Sequence, residues 1–319
     1  MHWKILAGLR FILSCIVLSC HLTYFVSSTN PLVFPAKLGG LTAVLGFFLI
    51  SGYSIANSIK RNPKGFYQRR IFRIYPLYIC AIIFSLVPFL ILGKNIHLLG
   101  SAEFIQPTVK EVIGNLLFLQ GFKIQRLSSD PVVWTLSIEV LCYLLAPLFA
   151  KIGNKALLII IALSSLLYAS FPYLHLSYYS DLQYGLGFFM LLWAWLLGFF
   201  YFYNQEKTYS RFLLVGLGCL LILVNNLYID QLGIFVYIFS SLVLIYSPQL
   251  KLSKKLLSIS NYLGNISYPL YLLHIPSLIV SYSILNIRNP ILLVCSSLLA
   301  SMFFYHVIEV PIHSKKLQK

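Results

Sequence analysis

Arg10 and His21 stand eleven residues apart within Lys4–Phe25, KILAGLRFILSCIVLSCHLTYF, a stretch with the length and apolarity of a membrane-spanning helix. At 100° per residue that spacing is three turns plus about 20°, so both side chains share one helix face, roughly 16 Å apart along the axis. A charged side chain inside hydrocarbon costs a few kcal/mol at least, which makes an ionisable residue there a functional-site candidate by default. Histidine suits proton transfer near neutral pH.

Glu139 is the second candidate, the only acid of the apolar segment WTLSIEVLCYLLAP, with Tyr143 one turn further on. A buried carboxylate must be paired or protonated. His21 lies about five residues and Glu139 about seven residues from the outer ends of their spans, so both sit roughly 10 Å below the outer surface. A His21–Glu139 pair is therefore geometrically allowed, and the carboxylate would fix the imidazole tautomer and raise its basicity. The competing reading is a structural hydrogen bond between helices.

A third group is Arg69, Arg70 and Arg73 in NPKGFYQRRIFRIYP, where Arg73 shares a helix face with Arg69 or with Arg70. Guanidiniums clustered at a membrane surface offer planar forks of donors to phosphate. On charge alone, an anchor for lipid headgroups is the commoner explanation. Pro76 fits the first turn of the following helix, and a break there would lay the arginines along the surface. His274 in SYPLYLLHIP falls near the middle of a span, where a hydrogen bond to a neighbouring helix competes with a functional role. Glu309 in YHVIEVP falls near the inner end of the last span and is expected to pair with an arginine on that side.

The elements that must position these residues follow from composition. Of 319 residues, 59% are hydrophobic and 10% are charged, and mean hydropathy is +0.84, which excludes a water-soluble fold. Apolar windows of spanning length occur at about 5–26, 38–59, 75–92, 132–150, 156–172, 184–203, 211–228, 231–248, 262–284 and 289–311. The expected fold is all-α, a polytopic membrane helix bundle of about ten transmembrane helices. It forms a single integral-membrane domain over 1–319, with a retained first span and no appended soluble domain.

With a cytoplasmic N-terminus, eighteen of the 24 Lys and Arg residues fall on the inner side, among them Lys315, Lys316 and Lys319. The net charge of +16 then reports topology and argues against a nucleic-acid partner. Both termini are expected in the cytoplasm. Val112–Phe122 is apolar but too short to span comfortably, so it is expected as a re-entrant or interfacial piece within an outer connection that caps a site. The six cysteines lie in apolar runs without metal-ligand spacing, so neither disulfides nor a metal site is expected.

Taken in order, these segments resemble the acyltransferase 3 family of integral-membrane acyltransferases over essentially the whole chain. LAGLRFILSCIVLSCH matches the family's opening motif with its Arg-to-His spacing, and GFFLISGY at Gly46–Tyr53 is similar to its FFVLSGF. RRIFRIYPLY, WTLSIEVLCYLLAP, SYPLYLLHIP and the terminal EVP follow in the family's order. Ala7 stands where the family often has Asp, and Val140 where a second acid commonly follows Glu139, so roles given to those acids have no carrier here.

The resemblance implies an O-acetyltransferase of the bacterial inner membrane. It would take an acyl group, most often acetyl, from cytoplasmic acyl-CoA and place it on a hydroxyl of a surface or exported glycan such as O-antigen. By position it implies His21 as the catalytic histidine, Arg10 as its motif partner, and Arg69, Arg70 and Arg73 as donor-binding residues. Acetyl-CoA is then a donor substrate, with no bound cofactor; membrane lipids surround the bundle, and oligomerisation is left open. Open too is whether His21 acts as general base or transient acyl carrier. Rival readings are another acyl group such as succinyl, a non-glycan acceptor, or a transporter with an intramembrane His/Glu path.

Overall fold

The computed structural model describes residues 2–98, 103–176, 178–225, 227, 230 and 232–312. Lys315, Lys316 and Lys319, counted above among the inner-side charges, lie outside the described residues. The helices run α1 His2–Leu22, α2 Gly40–Arg61, α3 Phe66–Leu92, α4 Val109–Leu116, α5 Pro131–Phe149, α6 Asn154–Tyr173, α7 Leu186–Asn204, α8 Thr208–Val224, α9 Gly233–Tyr246, α10 Lys254–Ile284 and α11 Pro290–Ile312. A two-residue hairpin, β1 Ile96–His97 with β2 Glu103–Phe104, lies between α3 and α4.

Eight helices, all except α4, α8 and α9, are long and apolar enough to cross hydrocarbon, and they form a polytopic membrane helix bundle. The windows expected at 211–228 and 231–248 are also helical but shorter. At 14 residues, α9 extends only about 21 Å against a core of about 30 Å.

The bundle is organised on α1 and α10. Ser14 Oγ lies 2.9 Å from the Ser267 carbonyl oxygen and donates to it, and His21 Nδ1 lies 3.0 Å from His274 Nε2. Both pairs are 253 residues apart in sequence, so the two helices run parallel in register. Ala7 packs on Gly264 and Gly8 on Ser260 further down the same interface. The spacing of seven between Ser14 and His21, and between Ser267 and His274, is the heptad repeat of a left-handed helix pair.

A second close crossing joins α2 to α7. A Cβ on Gly52 would overlap the Trp195 carbonyl oxygen, and one on Gly198 would overlap that of Leu49, so only glycine lets these backbones meet. This contact brings Ser51 beside Trp195, whose Nε1–H donates to Ser51 Oγ at 3.1 Å.

One expectation changes at α3. Helix α3 starts at Phe66 and passes through Pro76 without a break, so the three arginines occupy its first two turns and do not lie flat in a separate segment. Proline removes one hydrogen bond from such a helix; packing of Leu77, Tyr78 and Ala81 against the bundle keeps it continuous.

The expected short piece at Val112–Phe122 is the helix α4 and the turn after it. A reciprocal Thr108–Glu111 capping box opens this helix. Tyr78 Oη donates to the Asn115 carbonyl at 2.8 Å, and the Asn115 side chain donates to the Glu111 and Gln125 carbonyls at 2.8 Å each. The buried amide thereby satisfies the backbone of a segment too short to satisfy its own.

Gly52→Ala should lower stability by about 1–3 kcal/mol through overpacking at a backbone contact. A lower melting temperature in detergent checks this. An unchanged one would mean that α2 and α7 do not approach so closely.

Candidate active site

Two cavities of the bundle hold the candidate residues. The first, about 170 Å³, is lined by Arg10 from α1, Ser51 from α2, Arg70 and Arg73 from α3, and Glu139 and Tyr143 from α5. The second, about 350 Å³, is lined by His21 and Tyr24, the loop residues Arg126, Tyr178 and Asp181, and Trp134 at the start of α5. Val44 and Tyr271 line both, so the cavities adjoin at one neck. Tyr271 Oη is held there by Thr135 Oγ1 at 2.8 Å, and its ring meets Phe47 edge-on at 5.3 Å.

The first cavity is cationic. Arg70 and Arg73 are three residues apart on α3 and face inward together, and Arg10 enters from α1. Against them stands Glu139, which accepts a hydrogen bond from Ser51 Oγ, itself oriented by Trp195. The Arg70 guanidinium lies 5.9 Å from the centre of the Tyr143 ring and 5.8 Å from that of Phe66. The buried Nε atoms of Arg10 and Arg70 have no hydrogen-bond partner. Buried guanidinium donors left open in this way form a ready-made place for an anion.

The sequence-based set divides on the structure. Arg69 does not line the cavity; its guanidinium folds back to the Lys64 carbonyl at 2.5 Å and to the Asn62 carbonyl, clamping the loop before α3. At 100° per residue Arg73 lies between Arg69 and Arg70 in helix phase, so the hydrogen bonds of Arg69 to the preceding loop, and not phase alone, keep it out of the cavity.

Glu139 does not meet His21. It belongs to the arginine cavity while His21 belongs to the other, and the expected carboxylate–imidazole pair is replaced by His21 with His274. Depth counting set both residues at one level, but Glu139 lies toward the Arg10 end of α1 and not at the level of His21, because counting from estimated span ends fixes neither the tilt nor the offset of one helix against another.

Glu309 closes no ion pair with an arginine among the described residues, although Arg73 is the charge that acts on it; its buried Oε1 has no hydrogen-bond partner. The lysines and arginines at helix ends held no signal separating Arg70 and Arg73 from Arg69.

The second cavity is closed by loops. The Arg126 guanidinium joins Asp181 through Nη2 at 3.0 Å and Nε at 3.1 Å, tying the loop after α4 to the loop before α7. Phe104 of the hairpin lies 6.3 Å from both Tyr24 and Phe25. Sequence reasoning missed Arg126, Asp181 and Asp230 because they lie in separate loops with no local pattern. Ser51, Thr135 and Tyr271 were in motifs already singled out, but unassigned.

Asp130, just before α5, is buried with neither carboxyl oxygen hydrogen-bonded, and burial pushes its pKa well above the ordinary carboxylate value.

The chain matches the family model described as an acyltransferase domain over residues 3–308. It is 27% identical over 234 residues to a protein of Acidianus two-tailed virus whose name describes an acetyltransferase, covering 68% of this chain and 66% of that one. It is 26% identical over 168 residues to the O-acetyl transferase of Shigella phage Sf6, covering 49% of this chain and 50% of that one. No solved structure matches it.

The raised pKa of Asp130 sets a pH dependence. Below about pH 3.9 folded and unfolded chains both hold the proton; as pH rises the unfolded chain releases it first, so stability falls until the folded pKa is passed. Asp130→Asn should remove that slope. Melting temperatures of the two proteins in detergent, followed from acid to neutral pH, should diverge above about pH 4; parallel curves would refute the assignment.

Proposed function

The chain belongs to the acyltransferase family whose domain model it matches, and from that premise we propose that it is a membrane O-acetyltransferase carrying an acetyl group from acyl-CoA to a glycan hydroxyl. The observation that carries this reading is the neck shared by a cationic cavity and a histidine-lined one. Arg10, Arg70 and Arg73 suit the phosphates of the donor. The name of the phage relative supports O-acetyl transfer. The excess of Lys and Arg at the Arg10 end of the bundle supports a cytoplasmic donor side, with both termini on that side of a bacterial inner membrane.

The acceptor, a unit of a surface or exported polysaccharide, enters the His21 cavity, where Trp134, Tyr24 and Tyr178 offer ring faces and Arg126, Asp181 and Asp230 offer polar groups. The rise of about 16 Å between Arg10 and His21 is the distance over which the bound donor must extend to bring its thioester to the neck.

His21 then acts as general base. Its free ring nitrogen takes the proton of the acceptor hydroxyl as that oxygen attacks the thioester carbonyl, giving a tetrahedral oxyanion. Collapse breaks the carbon–sulfur bond, and the departing thiolate takes the proton back from His21. The new ester leaves on the acceptor, and CoA leaves with its thiol restored. Glu139, held by Ser51, sets the position of Arg70 through the charge between them.

Two measurements test the reading. His21→Ala should abolish transfer of labelled acetyl from acetyl-CoA to the glycan while the protein still inserts, and retained transfer would overturn the assignment. Arg70→Ala or Arg73→Ala should raise the KM for acetyl-CoA by roughly tenfold or more, the value of one charge-assisted hydrogen bond. An unchanged KM would return these arginines to the role of membrane anchors.

A further inference from the structure

His21 and His274 form a pair whose protons are determined by their partners. His274 Nδ1 lies 2.9 Å from the Leu270 carbonyl, and His21 Nδ1 lies 3.0 Å from the Val17 carbonyl. A carbonyl only accepts, so in the neutral rings both Nδ1 atoms carry hydrogen. His274 Nε2 is then a bare acceptor, 3.0 Å from His21 Nδ1. The His21 N–H is shared between the Val17 carbonyl and His274, and the lone pair of His21 is left on Nε2, which has no hydrogen bond to another described residue.

Resting on the general-base reading of His21 above, we propose that His274 is the positioning residue for that base. It holds the tautomer with Nε2 free, and it accepts the Nδ1–H hydrogen bond of the imidazolium that forms when Nε2 takes the acceptor proton.

A carboxylate commonly performs this task. Here no acid among the described residues hydrogen-bonds either ring: Glu139 is bound by Ser51 in the other cavity, and Asp181 is paired with Arg126. A neutral imidazole gives the same orientation without placing a second charge inside the membrane, where it would be costly. His274 is fully buried and its carbonyl oxygen accepts from Ser297 Oγ at 3.3 Å, so α11 holds the α10 backbone at this point. Besides His274, the titratable and charged groups lining the cavity that His21 faces are Cys20, Tyr24, Arg126, Tyr178, Asp181, Asp230 and Tyr271.

The test uses full-length protein in membranes, with acetyl transfer from acetyl-CoA measured across pH. His274→Leu, which keeps bulk and removes the acceptor, should lower kcat by roughly 10²-fold, between the losses seen when other histidine-orienting partners are removed. KM for acetyl-CoA should stay near that of the parent. The acidic limb of the pH profile of kcat/KM should move to lower pH, because the His21 imidazolium loses its acceptor. His274→Gln, whose Oε1 reaches the former Nε2 position, should recover most of kcat and return the limb toward its parent position.

Parent-like kcat and pH limb in His274→Leu, with His21→Ala inactive, would overturn the role of His274 and leave the base intact. Equal losses in Leu and Gln variants with an unmoved limb would overturn it as well, since packing alone then accounts for the loss. Transfer retained by His21→Ala would instead remove the base itself.

Discussion

The parallel, in-register contact of α1 with α10 is the constraint on which the rest depends. Small residues at the lower end, Ala7 against Gly264 and Gly8 against Ser260, let the backbones approach. One heptad further up from the Ser14–Ser267 bond stands the His21–His274 pair. The repeat that packs the helices therefore also sets the two imidazoles at hydrogen-bond distance, with no dedicated loop needed to aim them. Arg10, four residues before Ser14, is carried on the same helix to the opposite end of the path. Its own carbonyl accepts from Ser14 Oγ at 3.1 Å.

Around this pair the polar groups are sorted by sign. The first cavity collects three guanidiniums against one carboxylate, leaving a net positive lining. The second holds one guanidinium, Arg126, paired with Asp181, and a further acid, Asp230, beside His21. The glycine-mediated crossing of α2 and α7 contributes to the first cavity. It sets Trp195 on Ser51 and Ser51 on Glu139, so the single carboxylate in that cavity is fixed through packing two helices away.

Much of the fold was legible because hydropathy is a direct physical signal: eight long apolar helices fall on windows read from composition, and α4 lies where a segment too short to span was expected. Residue types at unusual places were equally legible. Arg10, His21, Glu139 and His274 all line or abut the two cavities. What the sequence did not disclose is neighbourhood. Depth counting expected His21 and Glu139 at similar heights, but Glu139 sits with Arg10 in one cavity and His21 in the other. Likewise the three clustered arginines look equivalent as charge, until carbonyls of the preceding loop hold Arg69 while Arg70 and Arg73 line the cavity. Pairings such as Arg126 with Asp181, 55 residues apart in two loops, leave no periodic trace at all.

The narrow join between the cavities bears on why a thioester would survive in such a path. Val44 and Tyr271 line both cavities where they adjoin, Phe47 packs on the Tyr271 ring, and the Tyr271 hydroxyl is held by Thr135. Apolar walls give water few partners, so under the proposed reading a thioester brought there would be shielded from hydrolysis. The two cavities differ accordingly, one lined by guanidiniums and the other by His21 and loop charges. A helix carrying Arg10 at one end and His21 at the other connects them at a fixed distance.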